Sequence, residues 1–176
     1  IKVYPVITGL FTFLLVCSAF CLFSQTPPLE HLSAADGLPS NNCFRVLQDS
    51  KGYIWVCTDN GLCKYDGYNF KNYSTKDGLP YNDIHYLFED SHHRLWLCGY
   101  TTFFCYIDLD SGEIVTIANS SKVDHTYNSY FLEGNDGSVV SGILENAFYY
   151  RIFPKLKKVE KVIVSHPNLH NCQKDF

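Results

Sequence analysis

Residues 36–67 read DGLPSNNCFRVLQDSKGYIWVCTDNGLCKYDG, and residues 77–100 read DGLPYNDIHYLFEDSHHRLWLCGY. Asp36-Gly37-Leu38-Pro39 returns as Asp77-Gly78-Leu79-Pro80, Asn41 as Asn82, Asp49-Ser50 as Asp90-Ser91 and Trp55 as Trp96, each 41 positions later and without a gap. The chain therefore repeats a unit. Within the first copy, short β-prone runs alternate with turn residues: CFRVLQ is followed by DSKG, YIWVCT by DNG, and LCKYDG by YNFKNYS. Asp, Asn, Ser and Gly stand where tight hairpins need positive φ or a side chain bonded to its own backbone. The spacing predicts strands over residues 44–48, 53–58, 62–65 and 70–73, joined into one antiparallel sheet. No helical periodicity of any length follows residue 26.

A period near 40 with four short strands per unit is the pattern of a β-propeller blade, because a small twisted sheet cannot bury both faces alone and packs radially against like sheets. The expected fold class is all-β, a partial propeller of about two clear blades plus a degenerate third. FLEGNDGSVVSGILENAFYYRI (residues 131–152) can be laid over VLQDSKGYIWVCTDNGLCKYDG with Gly137 at the place of Gly52 and Val140 in place of the tryptophan. Blades are expected at about 36–76, 77–120 and 121–153, with residues 154–176 an unassigned, truncated tail, since two and a half blades cannot close a ring. Trp55 and Trp96 are expected in the blade core rather than on a stacking platform for sugars. Cys57 and Cys98 share one position after them, where a small buried residue fits.

At 176 residues and 46 % apolar content the chain is globular rather than disordered. A net charge of −4 gives no electrostatic footprint for nucleic acid. In the opening IKVYPVITGLFTFLLVCSAFCLFSQTPP, Lys2 precedes an apolar run over residues 6–23, broken by Thr8, Gly9, Thr12 and Ser18 and ended by SQTPP. This reads as a secretory signal over residues 1–25, cleaved near Gln25. A retained signal anchor is the alternative, because about 18 apolar residues is the lower limit for a membrane span. Val16 and Phe20, which precede Cys17 and Cys21, are too bulky for a lipid-attachment site. Export would permit disulfides among Cys43, Cys57, Cys63, Cys98, Cys105 and Cys172, yet no pair has CxxC spacing and the first five sit in strand-like runs.

Candidate chemistry is sparse. His92-His93 falls at a hairpin tip and reads as a solvated turn. HPNLHNC (residues 166–172) sets His166, His170 and Cys172 at zinc-ligand spacing for a helix, but Pro167 and two asparagines oppose one. DLDSGE (residues 108–113) has the look of a partial calcium loop and reads better as a hairpin turn. No serine, histidine and carboxylate form a recognisable nucleophile motif, and there is no glycine-rich ATP loop. No catalytic residue, metal site or cofactor is expected.

The stretch GLPSNNCFRVLQDSKGYIWVCTDNGLCKYDG resembles the two-component regulator propeller repeat. That pattern runs GLP and an Asn, a hydrophobic strand ending in D-x-x-G, then W-x-G-T, then G-L-x-(R/K)-(Y/F)-D-G. The resemblance covers residues 30–117 well and 128–152 poorly. Cys57 and Cys98 stand where the family usually has glycine, and YTTFFCYID departs from TxxGLxxYD. The resemblance implies a periplasmic sensor region of a membrane histidine kinase, including hybrid two-component systems, typical of Bacteroidetes-type bacteria. The parent protein would sit in the inner membrane. Implied partners are a small-molecule or oligosaccharide ligand, further propeller repeats and the kinase portion of the same protein, and a second copy in a homodimer. The alternative is a secreted propeller that binds or acts on polysaccharide, with Tyr65, Tyr68 and Tyr73 as contacts. The DGLP connections and the TDNG turn should lie at one end of the ring, which makes Asn41, Asn42, Asp59 and Asn60 the candidate ligand-binding residues.

Overall fold

A computed structural model describes residues 29–101, 103–117, 126–127, 130–142 and 148–163. The expected signal segment and the HPNLHNC stretch lie outside these residues. Among the described residues, no helix is long and apolar enough to cross a membrane. The chain divides into an N-terminal unit ending at His31, of which residues 29–31 are described and form no regular element, and a second unit beginning at Leu32.

Among the described residues, the second unit holds three antiparallel sheets, each built on four strands in simple up-and-down order. The first comprises β1 (Cys43–Gln48), β2 (Ile54–Thr58), β3 (Gly61–Tyr65) and β4 (Phe70–Tyr73). The second comprises β5 (Ile84–Glu89), β6 (Arg94–Thr101), β7 (Phe104–Asp108) and β8 (Ile114–Ile117). A two-residue strand, β9 (Thr126–Tyr127), pairs with the end of β6. The third sheet comprises β10 (Tyr130–Glu133), β11 (Val139–Gly142), β12 (Phe148–Phe153) and β13 (Lys158–Ile163). In the first sheet the strands agree with the sequence expectation to within a residue at each end. The third runs past residue 153. Its outer strand KVEKVI occupies what reads as an unassigned tail, reached through a 3-10 turn at Pro154–Leu156. Proline and a lysine cluster disguise that strand, although its edge position suits charged residues.

The first strands of the blades lie side by side, with β5 touching β1 on one flank and β10 on the other. Phe44 stacks on His85, with ring centroids 4.2 Å apart, and the Arg45 guanidinium lies 4.0 Å over the Tyr86 ring. Period-2 alternation gives each middle strand two jobs. On β6, Leu95 and Leu97 pack with Trp55, Cys57, Leu62, Leu79, Ile84 and Ile107 between the first two blades. Trp96 and Cys98 face the other way and pack with Phe104, Phe131, Val139, Tyr150 and Ile152 between the second and third. Trp55 and Trp96 hold equivalent places, pairing with Leu47 and Phe88 on one side and Lys64 and Tyr106 on the other. The tryptophans are core residues, as the repeat implied.

Each aspartate that ends a first strand fastens its tryptophan. Asp49 Oδ1 accepts from the N–H groups of Lys51 and Tyr53, and Oδ2 accepts from Trp55 Nε1 at 2.7 Å. Asp90 repeats this with His92, Arg94 and Trp96, the indole again at 2.7 Å. The third blade has Gly134 at this position and Val140 in place of the tryptophan, so donor and acceptor are lost together, which avoids leaving either one buried and unpaired.

Cys57, Cys63, Cys98 and Cys105 are buried and Cys43 is exposed. Burial pushes the Cys63 thiol up to about 11 and Cys98 to about 12, and Cys57 and Cys105 higher still. Since the thiolate is the reactive species, maleimide at neutral pH is expected to label Cys43 first among these five. The four buried thiols should react only under denaturant, as peptide mapping would reveal. Early labelling of Cys98 would mean that the blades separate readily.

Candidate functional site

Antiparallel order places the strand 2–3 turns and the DGLP connections at one end of the blades, and the strand 1–2 and 3–4 turns at the other. At the DGLP end, Ser74 N–H and Oγ donate to Asp77 Oδ2 at 2.9 and 2.8 Å, closing a capping box over the 3-10 turn Thr75–Asp77. Asn82 Oδ1 accepts from Thr75 N–H at 2.8 Å. The first blade repeats this: Ser33 bonds to Asp36 through the same two groups, and Asn41 Oδ1 accepts from Ala34 N–H at 2.7 Å. The repeated asparagine thus closes the connection behind Leu38 or Leu79, both of which are buried.

Of the other candidate ligand residues, Asn42 Nδ2 donates to Asp59 Oδ2 at 2.7 Å, and Asn60 Nδ2 donates to the Pro39 carbonyl at 3.1 Å. Hydrogen bonds from Asn42 and then Ser40 hold the Asp59 carboxyl below its ordinary range. Asn42, Asp59 and Asn60 therefore converge on one exposed ledge, with Asn41 turned into the loop behind it. The ledge also crosses to the next blade, because Gly61 N–H donates to the Asn82 carbonyl at 2.9 Å.

The opposite end contains features that the sequence did not single out. Ser50, in the first blade, donates through N–H and Oγ to the carboxylate of Glu89 at 2.8 and 2.5 Å, and Glu89 ends β5 of the second blade. Ser91 does the same to Glu133 at the end of β10, at 2.8 and 2.6 Å. Both seams are thus closed by one serine and one glutamate. Burial pulls the Glu133 pKa up, but the Ser91 donors and His92 outweigh it and hold the group below its ordinary range. His93 takes φ +56 where the first and third blades have Gly52 and Gly137, and its Nδ1 lies 3.1 Å from Ser50 Oγ. A non-glycine residue in this left-handed region is uncommon, with histidine among the better tolerated.

Asp90, His92 and Glu133 bring three potential metal-ligand atoms within 4.8 Å of one another. Both Asp90 oxygens already accept two hydrogen bonds each, and both Glu133 oxygens accept from Ser91. These carboxylates are committed to closing the turn and the seam. The DLDSGE stretch forms the hairpin turn that the sequence favoured: Asp108 Oδ1 accepts from the Asp110 and Ser111 N–H groups and from Ser111 Oγ.

Residues 37–60 and 78–101 match the family model described as the two component regulator propeller. The chain carries two-component regulator propeller repeats. Each matched segment begins in a DGLP connection and ends at the turn or strand end beyond the core tryptophan, and the two occupy equivalent places in adjacent blades. No curated protein matches the chain. Among solved structures, similarity extends to one named as the extracellular domain of a hybrid two component system, BT3049 of B. thetaiotaomicron, at 20 % identity and a TM-score of 0.57 over 80 % of this chain and 20 % of that one. A second, named as the extracellular domain of a one component system, BT4673 of the same organism, shows 20 % identity and a TM-score of 0.56 over 72 % of this chain and 19 % of its own. Virginiamycin B lyase from Staphylococcus aureus is similar at 18 % identity and a TM-score of 0.58, over 74 % of this chain and 44 % of the lyase. At these identities the likeness is one of fold. The propeller-repeat chain spans about a fifth of the two extracellular domains.

Proposed function

We propose that this chain is a segment of the extracytoplasmic, ligand-sensing region of a two-component sensor histidine kinase, acting by binding rather than by catalysis. The observation that carries this reading is the pair of two-component regulator propeller repeats stacked as adjacent blades. The names of two similar structures, extracellular domains of one- and two-component systems, support it. The ligand, a small molecule or an oligosaccharide, is taken at the DGLP end, where Asn42, Asp59 and Asn60 present donors and acceptors from a ledge that Asn41 holds in place. Because Gly61 and Asn82 join this ledge to the next blade, occupancy biases the packing of one blade on its neighbour. Such a shift, or a rearrangement of a homodimer, can reach a kinase through a membrane helix only as a differential affinity for two arrangements.

A transcriptional reporter in cells carrying the whole protein tests this, with a panel of oligosaccharides as stimuli. Alanine at Asn42, Asp59 and Asn60 together should shift the dose needed for a half-maximal response by at least about tenfold, corresponding to about 1.4 kcal/mol of binding energy, at unchanged protein level. A response that is untouched, or that falls only in step with abundance, overturns the placement of the ligand at this end.

A further inference from the structure

The two seams differ at their outer rim, and the difference leaves a groove in one of them. Between the first and second blades, Lys51 Nζ crosses the seam to the Leu109 carbonyl at 2.6 Å and to Asp110 at 2.7 Å. In the next seam His92 occupies the place of Lys51, and Pro154 and Lys155, which follow β12 as Leu109 and Asp110 follow β7, occupy the place of the acceptors. The crossing ion pair becomes a histidine opposite a lysine. What remains is a groove lined by His92, Arg94, Asn135, Asp136, Phe153 and Lys155, among others.

Arg94 is a further departure between the blades. Its counterpart in the first blade is Tyr53, which packs under Lys64 with the ammonium 3.5 Å from the ring centre. In the second blade cation and aromatic have changed strands: Arg94 on β6 lies 5.7 Å over Tyr106 on β7, as well as over Trp96. The swap leaves a guanidinium whose side chain is 8 % exposed, with Nε on Asp90 at 2.6 Å and Nη2 buried without a hydrogen-bond partner. An arginine cannot relieve this by losing its proton, and a buried donor left unmade is costly. The acid at the groove is not available to it: Asp136 Oδ1 accepts from Ser138 N–H and Oγ, and Oδ2 from Arg151 at 2.6 Å. Asp136 is thus already held by Ser138 and Arg151, whereas the buried Arg94 Nη2 donor has no acceptor.

We propose that this groove is an oxyanion site. A carboxylate, or a sulfate or phosphate group, draws the Arg94 guanidinium toward the groove, accepts a charge-assisted hydrogen bond from its otherwise unpartnered Nη2, and is flanked at the rim by Lys155 and His92. Planar guanidinium recognition suits all three groups. The site lies at the opposite end of the blades from the DGLP ledge and stands whether or not the protein signals.

The test uses the full chain with nitrogen-15-labelled indoles. Trp55 and Trp96 are the two tryptophans of this sequence. Trp96 Nε1 donates to the same Asp90 oxygen as Arg94 Nε, whereas Trp55 is in the first blade. Sodium acetate, sulfate and phosphate are titrated separately at constant ionic strength. At least one should shift the Trp96 indole resonance saturably while leaving that of Trp55 in place, and comparing the three distinguishes carboxylate from sulfate and phosphate recognition. H92K with K155D rebuilds the ion pair of the other seam and should weaken binding at least tenfold without lowering the thermal midpoint. R94Y with Y106K copies the arrangement of the first blade and should abolish binding, which keeps the test intact if the first variant misfolds. No saturable shift with any of the anions, equal shifts at both tryptophans, or wild-type binding by either folded variant would overturn the proposal.

Discussion

Asp90→Ala is expected to destabilise the protein by about 3–5 kcal/mol, the range for removing one partner of a buried ion pair. Asp90 is 4 % exposed, and its carboxylate receives two backbone N–H groups, Arg94 Nε and the indole of Trp96, a side chain with no exposure. Alanine leaves the guanidinium and the indole N–H buried without an acceptor. The same change at Asp49 separates the contributions. Asp49 fastens Trp55 and two backbone amides but no cation, so Asp49→Ala should lose less, about 2–3 kcal/mol. Urea unfolding of both variants measures the difference. Equal losses would mean that the Asp90–Arg94 pair contributes nothing beyond the turn.

The second large effect is expected at the DGLP end. Gly61 adopts φ +124, and a Cβ added there would clash with the Tyr73 carbonyl oxygen, which belongs to the backbone of the neighbouring strand and cannot swing aside. Gly61→Ala should therefore combine left-handed strain with overpacking, about 2–5 kcal/mol together. It should also pull Gly61 N–H from Asn82, loosening the tie between the first two blades. Gly67 is the control, with φ +98 but open space around it. Alanine there should cost about 1 kcal/mol, from backbone conformation alone. If the two substitutions prove alike, the close approach of Tyr73 is not limiting.

The first blade was legible because its turns use Asp, Asn, Ser and Gly at regular spacing and its core tryptophan recurs 41 residues later. The outer strand Lys158–Ile163 was not. KVEKVI lies beyond a proline in a lysine-rich stretch, and an edge strand with one solvated flank needs no apolar run to announce it. The seams were illegible for a different reason. Ser50 and Glu89 are 39 residues apart and meet only because β1 and β5 of successive sheets lie side by side, a relation that no local pattern encodes. Asp49 and Asp90 were recognisable as turn residues, but their bonds to the indoles were not, since a turn role already accounted for them. The sequence marks Asn41 as a ligand candidate, but its side chain closes its own loop, and Arg94 reads as an ordinary residue after a hairpin tip until the burial of its guanidinium is known.

The serine–glutamate closure takes its donor from one blade and its acceptor from the next, so the second blade, which carries both Glu89 and Ser91, presents two unlike flanks, as in a head-to-tail assembly. The contact works like the tab and slot of a carton. A copy of the second blade inserted at either seam brings a tab for the slot ahead of it and a slot for the tab behind. Repeat number can then change by whole-unit duplication without inventing a new contact, and the ring size is left to the splay between sheets. A flank lacking its counterpart rejects a blade arriving in reverse, since serine would face serine and glutamate would face glutamate. The order of the blades in space is thereby held to their order along the chain.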